Sequence, residues 1–190
     1  HIKRMNEALE TLDKEYEGRD IYVTSFDDNK MHAIRYEAKT PIANIILFHE
    51  MNSLGKKEFA CIALDYLAND CNVIIVDQRG HGKSEGAYTT LGLLEKSDVK
   101  AWVDMIENEG LPIYLHGLSL GASTILLNEE YNEMVKGLVL ESPYSNGFKA
   151  VANSLIIDIG GKRTYQFINH ISKKMESLWH ASLDNVNPLE

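Results

Sequence analysis

Four apolar runs, "NIILF" at 44–48, "NVIIV" at 72–76, "PIYLHG" at 112–117 and "GLVLE" at 137–141, confine this chain to few folds. A strand with one wet face alternates; a strand apolar at nearly every position must be covered on both faces. The segments between the runs supply the covers. "GKKEFACIALDYLAND" places Phe59, Ile62, Ala63, Leu64 and Leu67 at helical spacing, and "LLEKSDVKAWVDMIENEG" does the same with Leu94, Val99, Trp102, Val103 and Ile106 before stopping at Gly110. Buried strands alternating with helices of this length predict an α/β fold with a mostly parallel sheet and right-handed crossovers.

Upstream, "DIYVTSF" and "MHAIRYEA" alternate and read as an antiparallel pair joined by Asp27-Asp28-Asn29, which brings the strand count to six. After Pro143 the pattern changes. Phe148, Val151, Leu155, Ile156 and Ile159, then Ile168, Ile171, Met175, Leu178 and Trp179, recur every three or four residues and predict two helices. The chain therefore divides into an α/β core over 1–143 and a helical segment over 144–190.

At 190 residues the chain suits one domain with a real core. Its net charge of −9, with no cluster of Lys and Arg, argues against nucleic acid as a partner. Cys61 and Cys71 lack further Cys or His at metal-ligand spacing, so they read as reduced packing residues of a cytoplasmic protein. No apolar run reaches the length of a membrane span. The chain opens on His1 rather than Met, which leaves an upstream signal or anchor open.

The third run leads into Gly117-Leu118-Ser119-Leu120-Gly121 and then "ASTILL". G-x-S-x-G between a buried strand and a small-residue helix is the nucleophile-elbow pattern. It requires a turn so tight that the serine is strained and the flanking glycines have no room for a side chain. Ser119 is thus the candidate nucleophile, lifted at a strand's end above a helix N-terminus whose N–H groups face an incoming anion.

Three blocks, "NIILFHEMNS", "NVIIVDQRGHGKSEG" and "LHGLSLGAS", together with "LVLESPYSN", resemble the α/β-hydrolase superfamily, near its serine aminopeptidase and lysophospholipase-like esterase branch. The resemblance runs from about Ile21 to the end of the chain. It implies an acyl hydrolase needing no cofactor and no metal, acting on a small-molecule ester or acyl substrate. It also implies an oxyanion hole formed by the N–H of Leu120 and, from the loop after the third strand, of Met51. The sequence departs from the family at Glu50, where glycine is usual after His49; a carboxylate there would oppose an oxyanion if it pointed inward. By the same resemblance His49 supports the loop and His81 is structural. From its place before the elbow, His116 is expected to be buried and satisfied by backbone, and Asp77 and Arg79 to pair within their turn.

A serine needs a base, and the base an orienting acid. In this family the acid follows strand seven and the histidine follows strand eight, whereas six strands are counted here. The expectation is that both partners lie outside this chain, and that the 190 residues alone turn over little. The two late helices match a lid-like insertion between strands six and seven; Asp158 with His170 or His180 is the weaker alternative for the triad. A non-catalytic hydrolase-like binding protein is the competing reading. An uncovered sixth strand, finally, predicts self-association through its edge.

Overall fold

The computed structural model describes residues 2–128 and 133–147 and, singly, 169, 170, 173, 174, 177, 186 and 188. Two compact units divide the chain, residues 1–142 and 143–190. In the first unit the elements run α1 (Ile2–Glu15), β1 (Arg19–Thr24), β2 (Lys30–Tyr36), β3 (Ala43–Phe48), α2 (Gly55–Ala68), β4 (Cys71–Val76), α3 (Glu95–Ile106), β5 (Ile113–Leu118), α4 (Leu120–Leu127) and β6 (Val135–Glu141). All six expected strands form one sheet in the order β1-β2-β4-β3-β5-β6. The pairs β3–β4, β3–β5 and β5–β6 are parallel, while β1–β2 and β2–β4 are antiparallel.

The apolar runs are buried as their composition demands. Along β3, Ile46 and Phe48 join one core cluster while Ile45 and Leu47 join the other; along β4, Ile74 and Val76 part from Val73 and Ile75 in the same way. The first cluster takes Val99, Trp102, Val103 and Ile106 from α3 and Ile125 from α4, and the second takes Phe59, Ala60, Ala63 and Leu67 from α2. A sheet with two apolar faces is thereby filled on both sides. The α3 pattern ends in a short 3₁₀ turn, Glu107–Glu109, and then in Gly110 at φ 74°. That left-handed cap costs glycine nothing.

One helix is absent from the sequence reading above. In α1, Leu12 is fully buried, and Ala8 and Leu9 pack against the cluster that holds Tyr36 and Phe59. Asp13 also meets Lys56 of α2 at 2.5 Å. The spacing Met5, Ala8, Leu9, Leu12 carried the signal.

At the far edge of the sheet, β6 pairs with β5 alone among the described residues, and Leu138 and Val139 are 40% and 42% exposed. The two late helices fall largely outside the described residues; positions 169, 170, 173, 174 and 177 are helical. Among the described residues no helix is long and apolar enough to cross a membrane.

Candidate active site

Ser119 stands between the last residue of β5 and the first of α4, with φ 52° and ψ −105°. A left-handed φ on a non-glycine residue is held only when its surroundings over-determine it, and here they do. A Cβ on Gly121 would lie 2.0 Å from the Phe48 carbonyl oxygen, and one on Gly117 would lie 2.5 Å from the Ala122 nitrogen. Helix α4 therefore rests directly on the backbone of β3. Two further bonds fix it: the Ser119 N–H donates to the Glu141 carbonyl at 2.8 Å, and the Gly121 N–H donates to the His49 carbonyl at 3.2 Å. As the first residue of α4, Leu120 has an N–H without an intrahelical acceptor.

The loop after β3 is built around two histidines. His49, fully buried, donates from Nδ1 to the Glu50 carbonyl at 2.6 Å and accepts the Gln78 N–H on Nε2 at 3.0 Å. Its carbonyl also accepts from the Gln78 side-chain amide. Burial holds the ring below the usual histidine range, so it is neutral, as the Nδ1–H tautomer requires. His81 donates from Nδ1 to the Arg79 carbonyl at 2.9 Å and accepts the Asn52 N–H on Nε2 at 3.2 Å. That second bond clamps Asn52 at φ 61°, directly after Met51. Glu50 itself is exposed, and its N–H donates to Glu58 at 3.1 Å. Burial pushes the Glu58 carboxyl up. The Asn52–His81 clamp and Glu58 were not identified from sequence.

Two expectations need correction. Asp77 and Arg79 do not pair. The Arg79 guanidinium donates to Asp27 at 2.6 and 3.0 Å and to Asp98 at 2.8 and 3.1 Å, while Asp77 takes His32 at 2.7 Å and the Lys83 N–H at 2.9 Å. Partners far along the chain win because a buried guanidinium needs full, planar coordination by carboxylates. Nor is His116 satisfied by backbone: its Nε2 lies 2.7 Å from Glu141 Oε1 and its Nδ1 3.1 Å from the Tyr66 hydroxyl.

All four described histidines of the first unit thus have both ring nitrogens engaged, His32 by Asp77 and, at 2.9 Å, Asp20. His170 lies on an exposed helical position, and Asp158 and His180 fall outside the described residues. Among the described residues no group of three or more His, Cys, Asp or Glu side chains is placed to hold a metal ion.

A model of the family described as serine aminopeptidase, S33, matches residues 39–183. Phospholipase YtpA of Bacillus subtilis is 23% identical over 143 residues, which are 66% of this chain and 55% of that protein. The uncharacterized protein YqkD of the same organism is 39% identical over 89 residues, 44% of this chain and 28% of that protein. Among solved structures, the Pyrococcus furiosus esterase Pf2001 superposes with a TM-score of 0.67 at 26% identity, over 84% of this chain and 66% of that one. An α/β hydrolase from Vibrio vulnificus gives 0.67 at 16% identity, over 88% and 60%, a likeness of fold alone. The fold is that of the α/β-hydrolases, and the chain spans about half or less of the length of these two curated relatives.

Proposed function

The chain belongs to the serine aminopeptidase S33 family, and we propose that within it this protein is a serine hydrolase of carboxylic esters working through an acyl-enzyme on Ser119. The observation that carries the reading is the strained Ser119, at φ 52° between a buried strand and a helix whose first N–H is unclaimed by the helix. In this scheme Ser119 Oγ attacks the ester carbonyl and its proton passes to a base. The oxyanion is held by the Leu120 N–H and by the Met51 N–H, whose loop the His81 clamp keeps in place. Each such donor is worth about 3–4 kcal/mol in the transition state. The alcohol leaves with the base's proton, and water then releases the acid by the reverse path. Ester rather than peptide is favoured by likeness to proteins named as an esterase and a phospholipase.

The base is proposed to be a histidine, oriented by an acid, from sequence following residue 190. Support comes from the first unit, where every described histidine is committed at both nitrogens, and from the share of the relatives' length that this chain spans. Those committed rings also favour the second reading, a non-catalytic binding protein. A fluorophosphonate separates the two. With the chain extended past Glu190, Ser119 should be labelled, Ser119→Ala should abolish labelling, and a p-nitrophenyl ester should turn over faster than an aminoacyl p-nitroanilide. An extended protein that neither labels nor hydrolyses sinks the enzyme reading, and labelling that survives Ser119→Ala removes this serine from the role.

A further inference from the structure

The hydrogen bond from the Ser119 N–H ends on a carbonyl that is itself under strain. Glu141 is the last residue of β6, and Ser142 after it has φ 51°. A positive φ is strained for a residue with a side chain, so one bond joins two strained turns. The β5–β6 ladder runs up to this turn, pairing Leu118 with Glu141, and the Glu141 side chain adds a second tie. Although half-exposed, its Oε1 reaches to 2.7 Å from Nε2 of the buried His116. The Tyr66 hydroxyl lies 3.1 Å from Nδ1 of the same ring, so the imidazole bridges α2 to the end of β6. Edge-on rings of Phe59 and Tyr66, with centroids at 5.8 and 6.0 Å, fix the imidazole plane.

His116 also lies on β5, three residues before Ser119. The links therefore close on themselves: β5, the Ser119 N–H, the Glu141 carbonyl, the Glu141 carboxylate, His116 and β5 again. We propose that Glu141, acting through His116 and Tyr66, is a positioning residue that fixes the carbonyl holding Ser119 in its elbow. It does not serve as the acid of a triad through His116, because neither ring nitrogen is left for the serine hydroxyl. The catalytic half of this proposal rests on Ser119 being the nucleophile; the structural half does not.

Amide hydrogen exchange on the 190-residue chain tests it without any activity. In Glu141→Ala the Ser119 N–H should exchange at least about tenfold faster, while Ile46 and Ile74 in the central strands keep their protection. Glu141→Gln retains an acceptor for Nε2–H and should stay within about threefold of wild type. Unchanged exchange at Ser119 in a folded Glu141→Ala overturns the proposal, as does an equal loss at Ile46. Should Glu141→Ala fail to fold, Tyr66→Phe removes one oxygen from the far end of the bridge. It should speed Ser119 exchange about threefold, and no change there overturns the proposal equally. In the extended protein, fluorophosphonate labelling should slow in the same variants, and in the same order, as Ser119 exchange speeds up. If wild type exchanges as described but is never labelled, the hydrolase reading fails and the positioning role stands.

Discussion

The turns after β4 and β5 leave the sheet on either side of β3, and different forces fix them. After β4, charge does the work. Arg79 is clasped by Asp27 and Asp98, Asp77 takes His32 and the Lys83 N–H, and even Gly82 serves a charge, since a Cβ there would lie 2.1 Å from Asp77 Oδ2. After β5, residues 117–121 make no ion pair among the described residues; the nearest charged contact, His116 with Glu141, supports the turn from beside it. Gly117 and Gly121 bring backbone against backbone, and the bonds are amide to carbonyl. A turn built on charge can adjust to a changed side chain; a turn built on contact has nowhere to move. The reacting group sits on the second kind, where a shift of one ångström is most costly.

The largest effect should come from testing that rigidity. Gly121→Ala drives a methyl to within 2.0 Å of the Phe48 carbonyl oxygen, against the backbone of β3. The expected loss is more than about 4 kcal/mol, enough to leave a marginal domain largely unfolded. Urea unfolding measures it, and a loss under about 1 kcal/mol would show that the elbow yields after all.

Next in size is Arg79→Ala, which strands Asp98 in the interior. Removing one partner of a buried pair costs about 3–5 kcal/mol, because the remaining charge has no water to turn to. Asp27 lies nearer solvent and suffers less, and Arg79 holds its carboxyl well below the usual range. A variant that unfolds at the same urea concentration as wild type would mean that the clasp adds nothing net.

A smaller, titratable effect separates the two turns. Burial raises the Asp98 carboxyl to about 6 against the pull of Arg79, while an unfolded chain holds it near 3.8. Between those values the folded state binds more protons, so this group adds stability as pH falls from 6 towards 4 and loses it as pH rises. Compared with Asp98→Asn, wild type should gain on the order of 1–2 kcal/mol between pH 7 and pH 4.5. Denaturant curves at the two pH values give the difference; a gap that does not change with pH contradicts the raised value.

The same division explains what could be read from the sequence. The strands were legible because a run such as "NVIIV" encodes two-sided burial in consecutive residues, and the elbow because its constraint spans five. The helix α1 went unread, because its apolar face, around Leu9 and Leu12, is short. The clasp of Arg79 was not, since Asp27 lies 52 residues before it and the nearer Asp77 offered itself first. Likewise nothing local joins Asn52 to His81, or His116 to Glu141, 25 residues on. Sequence periodicity reports which face is buried, whereas polar partners are chosen by the fold once it exists.

One feature of the sheet bears on how any of these stabilities is measured. Leu138 and Val139 stand exposed on β6, whose outer edge has no strand beside it among the described residues. If two copies meet along that edge, each acts as the other's ligand, and association adds free energy that grows with the logarithm of protein concentration. Melting temperature would then not be a constant of the chain. It should climb as the sample is made more concentrated, and Leu138→Lys, which places a charge on the edge, should flatten that climb while leaving the dilute-limit value nearly unchanged. A melting temperature identical across a hundredfold range of concentration would show that the edge meets no second copy.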